Sequence, residues 1–256
     1  MHTFHRLLTV LALAGTAFAA QAADPASVRL CHEQEESYPW ILKDRPGLNI
    51  VHLKAVSQKV GIPFEFVAAP WKRCLEDMKN GTVDGVFKAT FKADRLELGT
   101  YPMAGGKADD SKALMTESYS LYRVKGGAAS WDGTKLAVAG PVGVQPGYSI
   151  VDVIKGLGAK VDDGTKSPDD NLKKLVAGRV DAVALQTTEG DNSLQSSAEL
   201  GAKIEKVGPP LSEKPYFLML SKQFVAKHGD AAATIWKKVA EVRESPEYRA
   251  KVRDFK

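Results

Sequence analysis

The groups that could do chemistry in this chain are few, and they suit binding better than bond making. Arg95 stands five residues after Thr90, in the segment TFKADR. A guanidinium can give two parallel hydrogen bonds to a carboxylate. Asp94 and Glu97 beside it would also suit a solvated ion pair. Gly147-Tyr148-Ser149 precedes an apolar helical stretch. A helix N-terminus favours an anion, and Ser149 could equally serve as an ordinary N-cap. Tyr38, Trp40 and Trp71 follow strand-like segments, where they could wall a small pocket or simply pack in the core. The five histidines show no metal-ligand spacing, and no Ser/His/Asp or Cys/His set stands out.

Compartment is legible at the start of the chain. Leu7 to Ala20 is an apolar run behind a weakly basic opening, and Ala20-Gln21-Ala22 supplies a small-x-small site. This reads as a secretory signal over residues 1–22, too short for a membrane span. The expected location is periplasmic and soluble. Cys31 and Cys74 are the two cysteines. In an oxidising compartment such a pair is expected as a disulfide, the alternative being two unrelated buried thiols. The net charge of +4 is spread evenly over 256 residues, which gives no reason to expect nucleic-acid binding.

The elements that must position these residues come as a repeat. Pro70 to Thr90 and Pro168 to Thr187 align on a shared Asp. Leu75 matches Leu172, Met78 matches Leu175, Gly81 matches Gly178, Val83 matches Val180, Asp84 matches Asp181, and Val86 matches Val183. Each copy predicts a short amphipathic helix, a Gly at its C-terminus and a buried strand. Upstream, strands are expected at Val28–Cys31 and Phe64–Val67, with a helix at Leu48–Val60 whose face is Ile50, Leu53, Val56 and Val60. In the second half, strands are expected at Val142–Gln145 and Val161, with a helix at Ser149–Leu157. Strand-helix alternation in both halves predicts two parallel sheets, with sites at the strand carboxyl ends. Leu114–Val124 and Lys214–Leu220 can cross between the halves, the second after a Pro209-Pro210 loop. The tail is helical, with an apolar stripe at Ile235, Trp236, Val239 and Val242 and a last helix opened by Ser245-Pro246.

The G-x-x-D strand units, the T-x-x-x-x-R segment at Thr90–Arg95 and the V-x-V-x-x-G turn at Val142–Gly147 carry a resemblance. The chain resembles the family-three periplasmic solute-binding proteins, the polar-amino-acid receptors of ABC transporters. The resemblance implies an α/β, two-lobed periplasmic-binding-protein-like fold, each lobe a mainly parallel sheet flanked by helices, with two crossover hinge segments. Lobe 1 would take residues 23–118 and 216–256, and lobe 2 residues 119–215. A small carboxylate-bearing ligand would be held by Arg95 and Thr90 from lobe 1 and by Tyr148 and Ser149 from lobe 2, against the rings of Tyr38, Trp40 and Trp71. The implied partners are an ABC-type permease and its ATPase, with the receptor a monomer that needs no cofactor and is not an enzyme.

Two positions depart from the family pattern. Gln186 stands where amino-acid receptors carry an Asp for the ligand ammonium, and Lys88 where Gly is usual. Gln186 carries no charge and weakens ammonium binding, while Lys88 favours a more negative ligand unless Glu33, Glu35 or Glu36 neutralises it; Glu189 could replace the charge missing at Gln186. Two other roles are compatible with such a fold. One is a secreted dehydratase-like enzyme using Glu36, Glu189 or Lys88, and the other is a receptor that feeds a membrane sensor.

Overall fold

The computed structural model describes residues 24–255, so the signal segment expected over 1–22 lies outside the described residues. Three parallel strands open the fold: β1 (Val28–Glu33), β2 (Phe64–Ala69) and β3 (Gly85–Thr90). Helix α1 (Leu48–Val60) joins the first two, and α2 (Trp71–Lys79) joins the next two. The long strand β4 (Met115–Val124) then leaves this half. The second half repeats the plan with β5 (Val142–Gly143), α3 (Ile150–Gly156), β6 (Val161–Asp162), α4 (Pro168–Val176) and β7 (Ala182–Gln186). Helices α5 (Thr187–Ser196) and α6 (Ala198–Lys203) follow, and β8 (Ile204–Leu220) returns the chain. The tail is α7 (Lys222–Lys227), α8 (Gly229–Glu244) and α9 (Pro246–Arg253).

The internal repeat is physical. The helix C-termini end in Gly81 (φ 74°) and Gly178 (φ 67°), the left-handed backbone that glycine adopts at least cost. Asp84 and Asp181 then do the same job in each half. Asp84 Oδ2 accepts from the backbone N–H of Arg29 at 2.7 Å, and Asp181 Oδ2 accepts from that of Ala139 at 2.8 Å. Each Asp thereby ties the start of its own strand to the start of the neighbouring one.

Two sequence expectations are corrected. The parallel strands of the halves do not form separate sheets. The order is β6-β5-β7-β4-β8-β3-β1-β2, one hydrogen-bonded ladder, because the crossing strands β4 and β8 pair antiparallel with each other. Strand β8 also runs straight through Pro209-Pro210, where a loop was expected. Prolines cannot donate to a ladder, and the β4–β8 register slips between Val207 and Ser212 at that point.

The buried face of α1 also differs from the apolar pattern. Leu48, Asn49, His52, Leu53 and Val56 are buried, while Ile50 and Val60 are only partly so. The cause is α8, whose Ile235, Trp236, Val239 and Val242 stripe packs on this side. The His52 ring bonds the Val239 carbonyl at 2.9 Å through Nε2. A carbonyl only accepts, so Nε2 carries the proton, and the buried Nδ1 has no partner. In the first half Cys31 and Cys74 form a disulfide closing a loop with a separation of 43 residues. Such a loop constrains the unfolded chain by about 4 kcal/mol.

Burial first, and then the charge of Arg243, push the His52 pKa from 6.5 down to about 4, against the opposing bond to Val239. The unfolded chain therefore takes up this proton near pH 6.5, whereas the folded one resists it until near pH 4. The contribution of His52 to stability is full above pH 6.5 and is lost on acidification through that window, by about 3 kcal/mol. His52→Gln keeps a donor for Val239 and should flatten the slope. Urea unfolding between pH 4 and 7 tests this, and parallel slopes for the two proteins would contradict it.

Candidate functional site

A cavity forms where the carboxyl ends of β3 and β7 meet the two crossing strands. Its lining includes Glu33, Ser37, Trp71, Lys88, Thr90, Arg95, Tyr119, Tyr148, Ser149, Gln186 and Tyr216. The free volume inside is about 30 Å³, room for roughly two water molecules.

Arg95 sits in a short 3-10 turn (Ala93–Glu97) just past β3 and is 4% exposed. Its Nη1 donates to the Thr90 carbonyl at 2.9 Å and to the Thr90 hydroxyl at 3.1 Å. Its Nη2 reaches across the cavity to the carbonyl of Gly147 at 3.1 Å. The Trp71 ring lies 5.5 Å from the guanidinium carbon, close enough for a cation–π contact. The surface ion pair with Asp94 or Glu97 is therefore not what Arg95 makes.

Lys88 enters the cavity because β3 bulges there. Phe217 of β8 pairs with Ala89 and Met219 with Val86, so Leu218 faces both Phe87 and Lys88. Such a bulge re-aims a side chain. Lys88 is the one non-glycine residue with positive φ (62°) among the described residues. Its Nζ donates to Gln186 Oε1 at 2.6 Å, to Glu189 Oε1 at 3.4 Å, and to the Ser37 hydroxyl. The side chains of this ion pair are 8% and 2% exposed. Burial pulls the Lys88 pKa down and pushes that of Glu189 up, while their mutual attraction opposes both shifts. The acid in contact with Lys88 is Glu189, and not Glu33, Glu35 or Glu36 from the loop after β1. Glu33 accepts from the backbone N–H groups of Glu35 and Trp71. Glu35 pairs with Lys43, and Glu36 is exposed.

Gln186 also donates, through Nε2, to the Tyr216 hydroxyl at 2.9 Å and to that of Tyr119 at 3.5 Å. Burial raises the Tyr119 pKa to about 12 and those of Tyr148 and Tyr216 well above the ordinary phenol value. All three phenols remain protonated at neutral pH.

Seven sequence-derived candidates thus share one cavity: Lys88, Thr90, Arg95, Trp71, Tyr148, Ser149 and Gln186. Two do not. The Trp40 indole donates to Glu117 Oε2 at 2.9 Å, bracing crossing strand β4. The Tyr38 ring packs 6.0 Å from Phe255, beside a surface depression shared with Glu35 and Glu36. Both follow β1 in sequence, but the loop turns their rings away from the cleft. Ser149 precedes α3 without capping it through its side chain, and that helix has seven residues. Thr187, the counterpart of Thr90 in the repeat, bonds the hydroxyls of Ser118 and Ser120 at 2.8 Å and does not line the cavity. Tyr119 and Tyr216 were missed because their segments read as hinges. The signal was available, since each crossing strand carries a tyrosine near its middle or end. Among the described residues no His/Cys/Asp/Glu group could hold a metal, and no helix is long and apolar enough to cross a membrane.

The buried pair generates a stability prediction. Glu189→Gln would leave the Lys88 ammonium without its anion and should cost about 3–5 kcal/mol in urea unfolding. Replacing both, as Lys88→Met with Glu189→Leu, should recover most of that loss. A Glu189→Gln cost under about 1 kcal/mol would mean that no buried charge depends on Glu189.

No family model matches this chain, and no curated protein does. Solved structures do. An ancestral arginine-binding protein bound to glutamine is 20% identical, with a TM-score of 0.72 over 91% of this chain and 99% of its own. The substrate-binding protein of an amino-acid ABC transporter is 15% identical, with a TM-score of 0.68 over 90% and 99%. A histidine kinase sensor domain similar to periplasmic binding proteins is 15% identical, with a TM-score of 0.70 over 90% and 95%. At such identities the likeness establishes architecture, and the chain has the two-lobed α/β fold of the periplasmic binding proteins.

Proposed function

We propose that this chain captures a small carboxylate-bearing molecule between its lobes and delivers it to an ABC-type membrane permease with its ATPase. The observation that carries the reading is Arg95. It is a buried cation on the cavity wall, fixed by Thr90 and Gly147 through three hydrogen bonds. A guanidinium has five N–H groups, so two remain for a ligand. A carboxylate is the small anion whose planar oxygens match that fork, and the neighbouring Tyr148 hydroxyl can donate as well.

The lobe limits at 118/119 and 215/216 gain support from strand pairing. Strand β4 pairs with β7 from Tyr119 onward, and β8 pairs with β3 from Tyr216 onward. A ligand that touches both lobes binds the closed form better and shifts the population toward it. A permease that reads the closed form would then recognise the loaded receptor. The similar proteins are binding proteins, which favours capture over catalysis here. Disulfide bonding fits export to the periplasm. The sensor domain among the similar structures favours one second reading, in which the same closure reports to a membrane sensor.

A thermal-shift screen of amino acids, diacids and small organic acids should identify binders by a raised melting temperature. Arg95→Ala should then weaken the best carboxylate at least tenfold by calorimetry, equivalent to about 1.4 kcal/mol. Unchanged affinity in the folded variant would remove Arg95 from the site, and with it this reading.

A further inference from the structure

We infer that Lys88 is a built-in ammonium that fills the cation subsite of this cleft, so that its ligands are small carboxylates without an amine and α-amino acids are excluded. The inference rests on the carboxylate-capture reading and narrows it. A zwitterion needs two partners, an anion site and a cation site. Arg95 supplies the first. The second would need convergent acceptors, and the cleft has such a set in Gln186 Oε1, Glu189 Oε1 and the Ser37 hydroxyl. All three already accept from Lys88 Nζ. The Lys88 side chain lines the cavity, whereas Glu189 lines the neighbouring depression. The Glu189 carboxylate therefore meets the cavity through Lys88.

Glu33 is the carboxylate on the cavity lining, and its two oxygens accept from the N–H groups of Glu35 and Trp71. They hold the loop after β1 against the start of α2. A ligand ammonium would have to displace Lys88 from its acceptors or sit beside it, and buried like charges repel strongly. The backbone points the same way. Lys88 has φ 62° at a bulge, a conformation in which a non-glycine residue is disfavoured. A strained residue kept at a cleft marks a position where its side chain is needed.

The test compares acids that differ only at the 2-position, titrated calorimetrically into the full secreted chain: lactate against alanine, malate against aspartate, 2-hydroxyglutarate against glutamate. Propionate, succinate and glutarate serve as unsubstituted controls. At least one amine-free acid should bind, with its amino counterpart at least a hundredfold weaker. Lys88→Gly suits the backbone φ and vacates the subsite. It should raise the affinity for the matching amino acid at least tenfold and lower that for the amine-free acid. Lys88→Met keeps the stem without the charge, and should narrow the hundredfold gap even if the glycine variant folds poorly. Amino acids that bind the unaltered chain as tightly as their hydroxy counterparts would overturn the inference while leaving carboxylate capture standing. Failure of every acid to bind would overturn both.

Discussion

Two buried cations and the partners that each must find govern this structure. A charge taken out of water is tolerated only when it is matched by acceptors. Arg95 and Lys88 both belong to the first half of the chain, and both find acceptors in the second. Arg95 reaches the carbonyl of Gly147, and Lys88 reaches Gln186 and Glu189. The polar contacts across the cleft are thus not decoration on two lobes that pack for other reasons. They complete what acceptors in the first half begin, Thr90 for Arg95 and Ser37 for Lys88.

The fold brings the two halves together by a shared plan. The same helix-glycine-Asp-strand unit builds each half, with Asp84 and Asp181 locking strand starts to their neighbours. The strands then deliver their carboxyl ends to a common place. Only β4 and β8 pass between the halves, and their mutual pairing is interrupted between Val207 and Ser212. The slip lies opposite Ser120, inside the second half, and the joint itself is two strands in regular register, Glu213–Tyr216 against Met115–Ser118. Trp40 and Thr188 both donate to Glu117 of β4, so one carboxylate on that joint touches elements from each side.

Much of this was legible in the residues, because periodicity and turn chemistry are local. The repeat, the α1 span, the glycine stops and the crossing segments all follow from spacing alone. Thr90, Trp71 and Gln186 converge because each lies at the end of a predicted strand or the start of a helix, and Arg95, whose role only the family resemblance implied, joins them from the turn after β3. What could not be read depends on where a chain turns after leaving an element. Tyr38 and Trp40 lie after β1, but the direction of that loop is a tertiary matter. The burial of His52 and Asn49 was hidden because polar residues on a helix signal solvent unless a partner such as the Val239 carbonyl is known. The bulge that aims Lys88 is hidden as well. Glycine is its usual sign, and here a lysine takes that conformation. Joining of the two sheets into one ladder followed from β4 pairing with β8, a contact between segments distant in sequence.

These observations bear on how a ligand could act at all. A ligand shifts a conformational equilibrium only by the difference between its free energies of interaction with the two forms. On the capture reading proposed above, the contacts that already bridge the cleft are the bond from Arg95 to Gly147 and those from Lys88 to Gln186 and Glu189. Two N–H groups of Arg95 are used by neither Thr90 nor Gly147, so an anion that takes them adds to the cross-cleft bond without replacing it. The Lys88 contacts likewise need not be disturbed by an anion and can persist through binding. The two cations therefore divide the work. On that reading Arg95 offers the contact a ligand makes, and the Lys88 contacts persist whether or not it is made.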